Sequence, residues 1–192
     1  MLKAARCETA KCAMERQWRA RPPRMHVWRR RKTGDYGVRL REKQKVKRYY
    51  GVLESQFRRY FQQAVRVKGN TGEALMSLLE RRLDNVVYRL GFAVSRAAAR
   101  QLISHGHIQV NHRSVDVASI LIRTGDVIRV KNRPKSIERV QSSFDQVDRE
   151  LPDYLIRLEG DAPGGQMVRL PEAEDITDLE VQTQLIVEFC SR

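Results

Sequence analysis

The segment from Arg81 to Val130 constrains the fold most, because its apolar periodicity changes from helical to alternating. Its first part ends at Gly91, which follows the last periodic residue as is typical of a helix C-terminus. The predicted apolar helix face comprises Leu79, Leu83, Val86, Val87 and Leu90. The opposite, polar face holds Arg82, Asn85 and Arg89.

A second helix is predicted from Ser95 to Gly106, with the Ser95 hydroxyl as its N-cap. Arg96 and Arg100 are four residues apart, which predicts that both lie on its outer face. Free backbone N–H groups and guanidinium donors converge at such a helix start, and this arrangement suits a phosphate. Two short helices therefore carry candidate anion-binding groups.

Alternating apolar residues follow, from Ile108 to Val130. Turn residues at 111–114 and 124–126 separate the short runs. The pattern predicts that the two helices lead into a small antiparallel sheet.

The charge of the chain is large and unevenly distributed. The net charge is +14, with 21 basic and 5 acidic residues in positions 1–69 and 11 basic and 3 acidic residues in positions 81–135. Positions 136–192 instead hold 5 basic and 13 acidic residues. A basic excess this local predicts a polyanionic partner for the first two-thirds of the chain.

Residues 36–69 form a second distinctive stretch. A basic run is opposed only by Glu42, and like charges this dense favour a neighbouring polyanion over an isolated helix. The helix after it has a predicted core face of Leu53, Phe57, Tyr60, Phe61 and Ala64, and a polar side with Arg58, Arg59 and Arg66. Thr71 is a candidate N-cap for the next helix.

These stretches carry a family resemblance. The sequences RLDNVVYRLGFAVSRAAARQL, HIQVN and GDVIRV resemble the alpha-L RNA-binding motif. With YGVRLREKQKVKRYYGVLESQFRRYFQQAVRVKGNTGE and the terminal QLIVEFCSR, the chain is similar to the bacterial-type small ribosomal subunit protein four family. It departs from the family at Ala98, where a capping-box Glu is usual, and at His112, where a turn Gly is usual. We expect the His112 turn to relax from a tight geometry.

The resemblance implies an α+β fold in which a helical domain holds an inserted domain of two helices packed on a small antiparallel sheet. The implied division is a basic extended N-terminal arm over 1–35, a helical ribosomal-RNA-binding domain over 36–80 plus about 175–192, and an alpha-L RNA-binding domain with an acidic C-terminal extension over 81–174. The C-terminal residues would return to pack on the first helical domain.

The implied function is that of a structural constituent of the small ribosomal subunit, not an enzyme. Such a protein binds ribosomal RNA early, nucleates assembly of the subunit body and contributes to translational accuracy. Its expected partners are small-subunit ribosomal RNA, neighbouring ribosomal proteins, notably ribosomal protein five, and messenger RNA where it enters the subunit. We expect a cytoplasmic location in the ribosome, with no cofactor and no membrane association.

The predicted mechanism is recognition of RNA shape and backbone, in which cations neutralise phosphates of several helices that meet. The RNA-binding residues predicted in the first domain are Arg39, Arg41, Lys43, Lys45, Lys47, Arg48, Arg58 and Arg59. Those predicted in the central motif are Arg81, Arg82, Arg96, Arg100, His105 and His107. Asp84 is expected to pair with Arg81.

Three alternatives accompany this prediction. Cys7 and Cys12 have a spacing that could supply half of a zinc site, although two free cysteines are favoured. The Arg-rich, acid-poor start also fits a mitochondrial transit peptide, which we consider a minority interpretation. Because the alpha-L motif also occurs on RNA-modifying enzymes, synthetases and RNA chaperones, these are rival functions. Enzymes of this kind need a separate catalytic domain, and a chaperone would need neither residues 36–69 nor the terminal LIVEF.

Overall fold

The computed structural model describes residues 34–146, 150–158, 160, 162–176 and 179–191. The predicted N-terminal arm, apart from Gly34 and Asp35, lies outside the described residues, as do Cys7 and Cys12. Within the described part, the chain forms seven α-helices, five strands and a 3₁₀ helix at Ala173–Asp175.

The helices fall into two groups along the chain. The first group is α1 (Asp35–Tyr49), α2 (Glu54–Val65) and α3 (Thr71–Glu80), and α7 (Thr183–Cys190) packs against α1 and α3. The second group is α4 (Leu83–Arg89), α5 (Arg96–Ser104) and α6 (Pro134–Gln146). The expected return of the C-terminus to the first helices is therefore seen directly in the packing of α7.

A five-stranded antiparallel sheet adjoins the second group of helices. Its strands are β1 (Ile108–Val110), β2 (Arg113–Val115), β3 (Val127–Val130), β4 (Leu155–Leu158) and β5 (Gly164–Met167), in the spatial order β2-β1-β3-β5-β4. Ile108 pairs with both Val115 and Val130, which places the three apolar side chains on one face of the sheet. The α+β class and the small antiparallel sheet are as predicted, and the acidic region adds two further strands.

Two clusters of buried apolar side chains hold these groups together. One lies among α1, α2, α3 and α7 and includes Phe57, Leu75, Leu79 and Ile186. The other lies between α4, α5, α6 and the sheet and includes Val86, Phe92, Ile103 and Ile128. Burying these side chains is the main favourable term for both groups of elements.

Three predictions of local structure are wrong. The apolar run from Leu79 to Leu90 is not one helix, because Arg82 is extended (φ −62°, ψ 137°) and pairs with Leu121. Leu53 precedes α2 and is 70% exposed, so it is not part of the core. Asn70, not Thr71, caps α3, since its side chain accepts a hydrogen bond from the Gly72 N–H at 2.9 Å.

The β1–β2 turn also differs from its prediction. Val110 pairs with Arg113, so only two residues form the loop, and both Asn111 (φ 49°) and His112 (φ 65°) are left-handed. The turn therefore keeps its tight form although His replaces the usual Gly. Asn111 holds it in place, because its side chain accepts from the Val127 N–H at 2.9 Å and donates to Asp126 at 2.8 Å.

Candidate nucleic-acid interface

The eight basic side chains of α1 and α2 differ in exposure and in their pairing within the protein. Five of the eight are exposed, namely Arg41, Lys45, Arg48, Arg58 and Arg59, and of these Arg58 also lies 3.5 Å from Glu54. Arg39, Lys43, Lys45 and Lys47 also have partners within the protein. Arg39 pairs with Glu188 at 2.9 Å, Lys45 donates to the Glu180 carbonyl, and Lys43 and Lys47 both contact Glu54.

Glu54 gathers three cations from two helices. Its carboxylate oxygens lie 2.6 Å from Lys43 Nζ, 3.0 Å from Lys47 Nζ and 3.5 Å from Arg58 Nε. The hydrogen bond from Lys43, together with that from Lys47, lowers the pKa of Glu54 to about 2. Lys43 is itself buried, with Nζ 4.7 Å from the centre of the Phe189 ring. One carboxylate thus neutralises part of the basic run.

The arginines that flank the break between α3 and α4 point inward. Arg82 is 2% exposed, and its guanidinium donates to both oxygens of Asp84 and to the Tyr60 hydroxyl. Arg81 is partly buried and donates to the Ile122 carbonyl at 3.0 Å. Burial, with the nearby charge of Arg123, lowers the pKa of Arg81.

Asp84 joins the start of α4 to α5 and to the α1–α2 junction. Its Oδ2 accepts from Arg82 at 2.7 Å and from Arg100 at 2.6 Å. Arg100 also donates to the carbonyls of Tyr50 and Gly51 at 3.3 and 3.1 Å. The expected pairing of Asp84 with Arg81 is therefore wrong, because the backbone break turns Arg82 toward Asp84 and α5 supplies Arg100.

Glu80 lies at the centre of a second buried network. It is fully buried and accepts hydrogen bonds from Tyr50 at 2.6 Å, Asn85 at 2.5 Å and Tyr154 at 2.9 Å, and it pairs with Arg89 at 3.2 Å. Burial alone opposes its ionisation, but Arg89 and the hydrogen bonds hold the pKa of Glu80 below its usual value. Burial and the Glu80 charge raise the pKa of both tyrosines, so each hydroxyl stays protonated and donates.

Arg96 extends this network to α1. It is 8% exposed, and its Nε donates to the Asn85 side-chain oxygen at 2.7 Å. Its guanidinium carbon lies 3.9 Å from the centre of the Tyr49 ring and 4.4 Å from that of Tyr88, distances typical of cation–π contacts. The prediction that Arg82 and Arg96 lie on exposed helix faces is therefore wrong. The whole of α4, Leu83–Arg89, is also buried on all sides.

The two predicted histidines lie at the far end of α5. His105 is exposed and directly follows the helix, whereas His107 is partly buried and shares a 2.8 Å hydrogen bond with Ser136. Their ring centres are 6.2 Å apart. Burial and nearby cations lower the pKa of His107, so its neutral form is favoured.

The structure thus separates the predicted residues into surface and internal groups, and it adds residues that the sequence did not single out. The exposed members are Arg41, Lys45, Arg48, Arg58, Arg59 and His105. Glu80, Asn85 and Tyr154 were missed as organising residues, because their partners lie on other elements. The sequence feature that could have pointed to these networks is the presence of two acids, Glu80 and Asp84, in an otherwise basic or apolar region.

Two kinds of site are absent from the described part of the chain. None of its His, Cys, Asp and Glu residues form a group of three that could hold a metal ion. Among the same residues, no helix has both the length and the apolar character needed to cross a membrane. Cys190 is a free, partly buried cysteine.

Comparison with known proteins identifies the family. Residues 1–80 match the family model described as Ribosomal protein S4/S9 N-terminal domain, and residues 81–128 match the S4 domain. A protein of Geobacter sulfurreducens named small ribosomal subunit protein uS4 is 53% identical over 192 residues, which cover 100% of this chain and 90% of that protein.

The chain belongs to the uS4 family.

Other uS4 proteins are similarly close. One from a Thermoanaerobacter species is 52% identical over 191 residues, and one from Thermodesulfovibrio yellowstonii is 49% identical over 191 residues. Each alignment covers 100% of this chain and 90% of the relative. The resemblance read from the alpha-L motif and residues 36–69 is confirmed. The boundary between the two matched uS4 regions falls between Glu80 and Arg81, where α3 ends.

Proposed function

We propose that this uS4-family protein is a structural constituent of the small ribosomal subunit that binds ribosomal RNA directly. The proposal is supported by the names of its relatives and by the match to the S4 domain. It acts as a component of the ribosome in the cytoplasm and not as an enzyme.

The exposed cations of α1 and α2 are the observation that carries RNA binding. Arg41, Arg48 and Arg59 are exposed and form no ion pair with any described residue. Keeping unpaired cations on adjacent helices is unfavourable in the free protein, and the phosphates of RNA relieve this repulsion by releasing counterions. Since the side chains are long and flexible, they select a backbone shape rather than a base sequence.

The internally paired residues have a different part in the same function. We assign phosphate contact first to the exposed cations, and we assign Arg82, Arg96 and Arg100 to holding the helical domain against the alpha-L domain. This division follows the proposed boundaries of 36–80 plus about 175–192 for the helical domain and 81–174 for the alpha-L domain. Lys43, Lys47 and Arg39 can reach RNA only when their carboxylate partners release them.

We further propose the finer roles that the family resemblance implies. The protein binds a multi-helix junction early, nucleates assembly of the subunit body and affects translational accuracy. Its protein neighbour is ribosomal protein five, and messenger RNA passes nearby. Omission of the protein from an otherwise complete reconstitution tests nucleation, because particles should then stop before later proteins join.

The experiment on RNA binding compares two charge-matched variants in a salt titration with folded junction RNA. Arg41→Gln with Arg59→Gln removes two exposed cations of α1 and α2, and the log–log salt slope should fall by about 2. Arg113→Gln with Arg123→Gln removes two exposed cations elsewhere and should leave the slope nearly unchanged. Failure of the wild-type protein to bind at moderate ionic strength would refute the proposed function.

A further inference from the structure

The last strand of the sheet, β4, presents backbone groups that face away from its neighbour. β4 pairs only with β5 among the described strands. The Val168 N–H donates to the Tyr154 carbonyl at 3.0 Å, so the backbone groups of every second residue from Tyr154 onward face β5. The N–H and carbonyl of Arg157 and the carbonyl of Leu155 therefore point outward from the sheet. An edge of this kind can pair with a further strand.

Large apolar side chains are exposed beside this edge. Leu155 and Met167 point into the core, so Ile156 and its partner Gln166 lie on the outer face of the sheet. Val168 follows Gln166 by two residues and continues the alternation. The exposed fractions are 41% for Ile156, 49% for Val168 and 45% for Leu170. Neighbouring exposed apolar residues, unlike scattered ones, are typical of a surface that another molecule covers.

The residues around these apolar side chains are mainly acidic. Positions 150–180 hold nine acidic and two basic residues. One of the basic residues, Arg169, donates to both carboxylate oxygens of Asp175 at 2.7 and 2.6 Å. The hydrogen bond with Asp175, together with the nearby charges of Glu172 and Asp153, raises the pKa of Arg169. Glu172 and Asp153 are exposed, and neither forms an ion pair with a described residue. This excess of negative charge repels RNA phosphates and suits a basic partner.

We propose that this surface binds a basic, extended segment of another protein, which lies beside β4 as an additional strand. We call it the β4–β5 surface: Asp153, Ile156, Arg157, Val168, Leu170 and Glu172. The backbone of the segment hydrogen-bonds with Leu155 and Arg157, its apolar side chains cover Ile156 and Val168, and its Lys or Arg side chains pair with the two acids.

The same charges argue against a second copy of this chain as the occupant. Two copies paired through β4 bring the same acids together, and like charges opposite each other are destabilising. The inference goes beyond the proposed function and takes from it only the setting, the small ribosomal subunit, in which the partner is sought.

The first test places the photoreactive residue p-benzoylphenylalanine at position 168 of the full chain in purified small ribosomal subunits. Position 117 is the matched control, because Val117 and Val168 are both 49% exposed and Val117 lies outside the β4–β5 surface. We expect the probe at 168, but not the one at 117, to cross-link to a Lys- and Arg-rich segment of another protein, identified by mass spectrometry. Cross-linking to RNA, to a second copy of this chain or to no molecule would overturn the inference.

The second test titrates a synthetic peptide with the sequence of the cross-linked segment onto the purified full-length protein. Asp153→Asn with Glu172→Gln should raise Kd by roughly two- to tenfold, as expected for the loss of two exposed ion pairs. Glu138→Gln with Asp145→Asn removes two exposed acids of α6 and should leave Kd nearly unchanged. The bound peptide should also slow hydrogen exchange of the Arg157 N–H by about tenfold or more. Equal Kd values for the two variants, or an unprotected Arg157 N–H, would overturn the inference.

Failure of the proposed function gives a different result. The same photoreactive residue at position 59, where Arg59 is exposed on α2, should cross-link to RNA. If it does not, the proposed RNA contact of α2 is wrong, whatever the probe at 168 reaches. If the probe at 59 reaches RNA and the probe at 168 reaches no protein, only the β4–β5 inference is overturned.

Discussion

The hydroxyl of Tyr154 donates a 2.9 Å hydrogen bond to the buried carboxylate of Glu80, which is 74 residues earlier in the chain. Tyr154 precedes β4, and Glu80 is the last residue of α3. Tyr50, from the end of α1, donates to the same carboxylate. Side chains from both buried apolar clusters therefore meet at one fully buried ionised group.

This arrangement predicts a large effect of Glu80→Gln. The change removes the charge that balances Arg89, whose side chain is only 10% exposed, and an unpaired buried charge costs about 3–5 kcal/mol. Urea unfolding should show a loss of this size. Glu188→Gln, at the more exposed pair with Arg39, is the matched control and should cost at most about 1 kcal/mol. Equal losses for the two variants would contradict the central role of Glu80.

Arg100→Ala tests whether a predicted RNA-binding residue acts inside the protein. The change removes the bonds to Asp84 and to the carbonyls of Tyr50 and Gly51. Hydrogen bonds to charged groups contribute about 1.5–3 kcal/mol, so we expect a loss in this range. Exposed Arg59→Ala serves as the control and should change the free energy of unfolding little. If Arg100→Ala weakens RNA binding without changing stability, Arg100 contacts RNA instead of acting inside the protein.

Glu54→Gln should affect both stability and RNA binding. Because the folded pKa of Glu54 is about 2 and its ordinary value is 4.5, its contribution is complete above pH 4.5 and is lost as pH falls through 2. The wild type should therefore lose more stability than Glu54→Gln between pH 5 and pH 2. At neutral pH the variant should bind RNA more tightly, since Lys43, Lys47 and Arg58 lose their counter-charge. Parallel pH–stability curves for the wild type and Glu54→Gln would contradict the stabilising role of the ionised Glu54 carboxylate.

His112→Gly should stabilise the β1–β2 turn. His112 has φ 65°, and a left-handed conformation costs a residue with a Cβ roughly 1–2 kcal/mol. Gly adopts it freely but loses more entropy on folding, so a net gain of about 0.5–1 kcal/mol is expected. His112→Ala keeps the Cβ and should give no gain. The midpoint of thermal unfolding is measured for the wild type and for both variants. Equal midpoints for His112→Gly and His112→Ala would refute the proposed backbone strain at His112.

Gly165→Ala should disrupt the contact between β5 and Leu90, which directly follows α4. A Cβ at this position would lie 2.4 Å from Leu90 Cδ2, and the Leu90 side chain is fully buried. Forcing this overlap should cost about 1–3 kcal/mol. At Gly160 nothing lies within 4 Å of an added Cβ, so Gly160→Ala is the control and should be close to neutral. If urea unfolding gives Gly165→Ala the same stability as Gly160→Ala, the Leu90 region can shift at little cost.

Local signals predicted much of the fold. The Ser95 cap of α5 is present, since its Oγ accepts from the Ala98 N–H at 3.2 Å. Phe57, Tyr60, Phe61 and Ala64 are buried as their spacing predicted. Both signals depend on residues within one or two turns of each other, which is the range over which helical periodicity and capping act.

The candidate site was less predictable, because a charged residue looks the same in the sequence whether it faces solvent or a buried partner. Arg59 is exposed and Arg82 is buried, yet both lie among basic residues. Their different roles depend on whether a carboxylate from another element can reach them. The periodic pattern around Arg82 was misread because the backbone there pairs with Leu121 instead of continuing the helix.

The sequence by itself determined the family, the α+β class, the basic character of the first two-thirds and most of the helix faces. Periodicity, caps and net charge are properties of neighbouring residues or of the whole composition, so they can be read without coordinates. Only the tertiary structure decided which arginines stay exposed and which pair with groups inside the protein. That choice depends on partners such as Glu80 and Tyr154, which are brought within hydrogen-bond distance only when the separate elements pack.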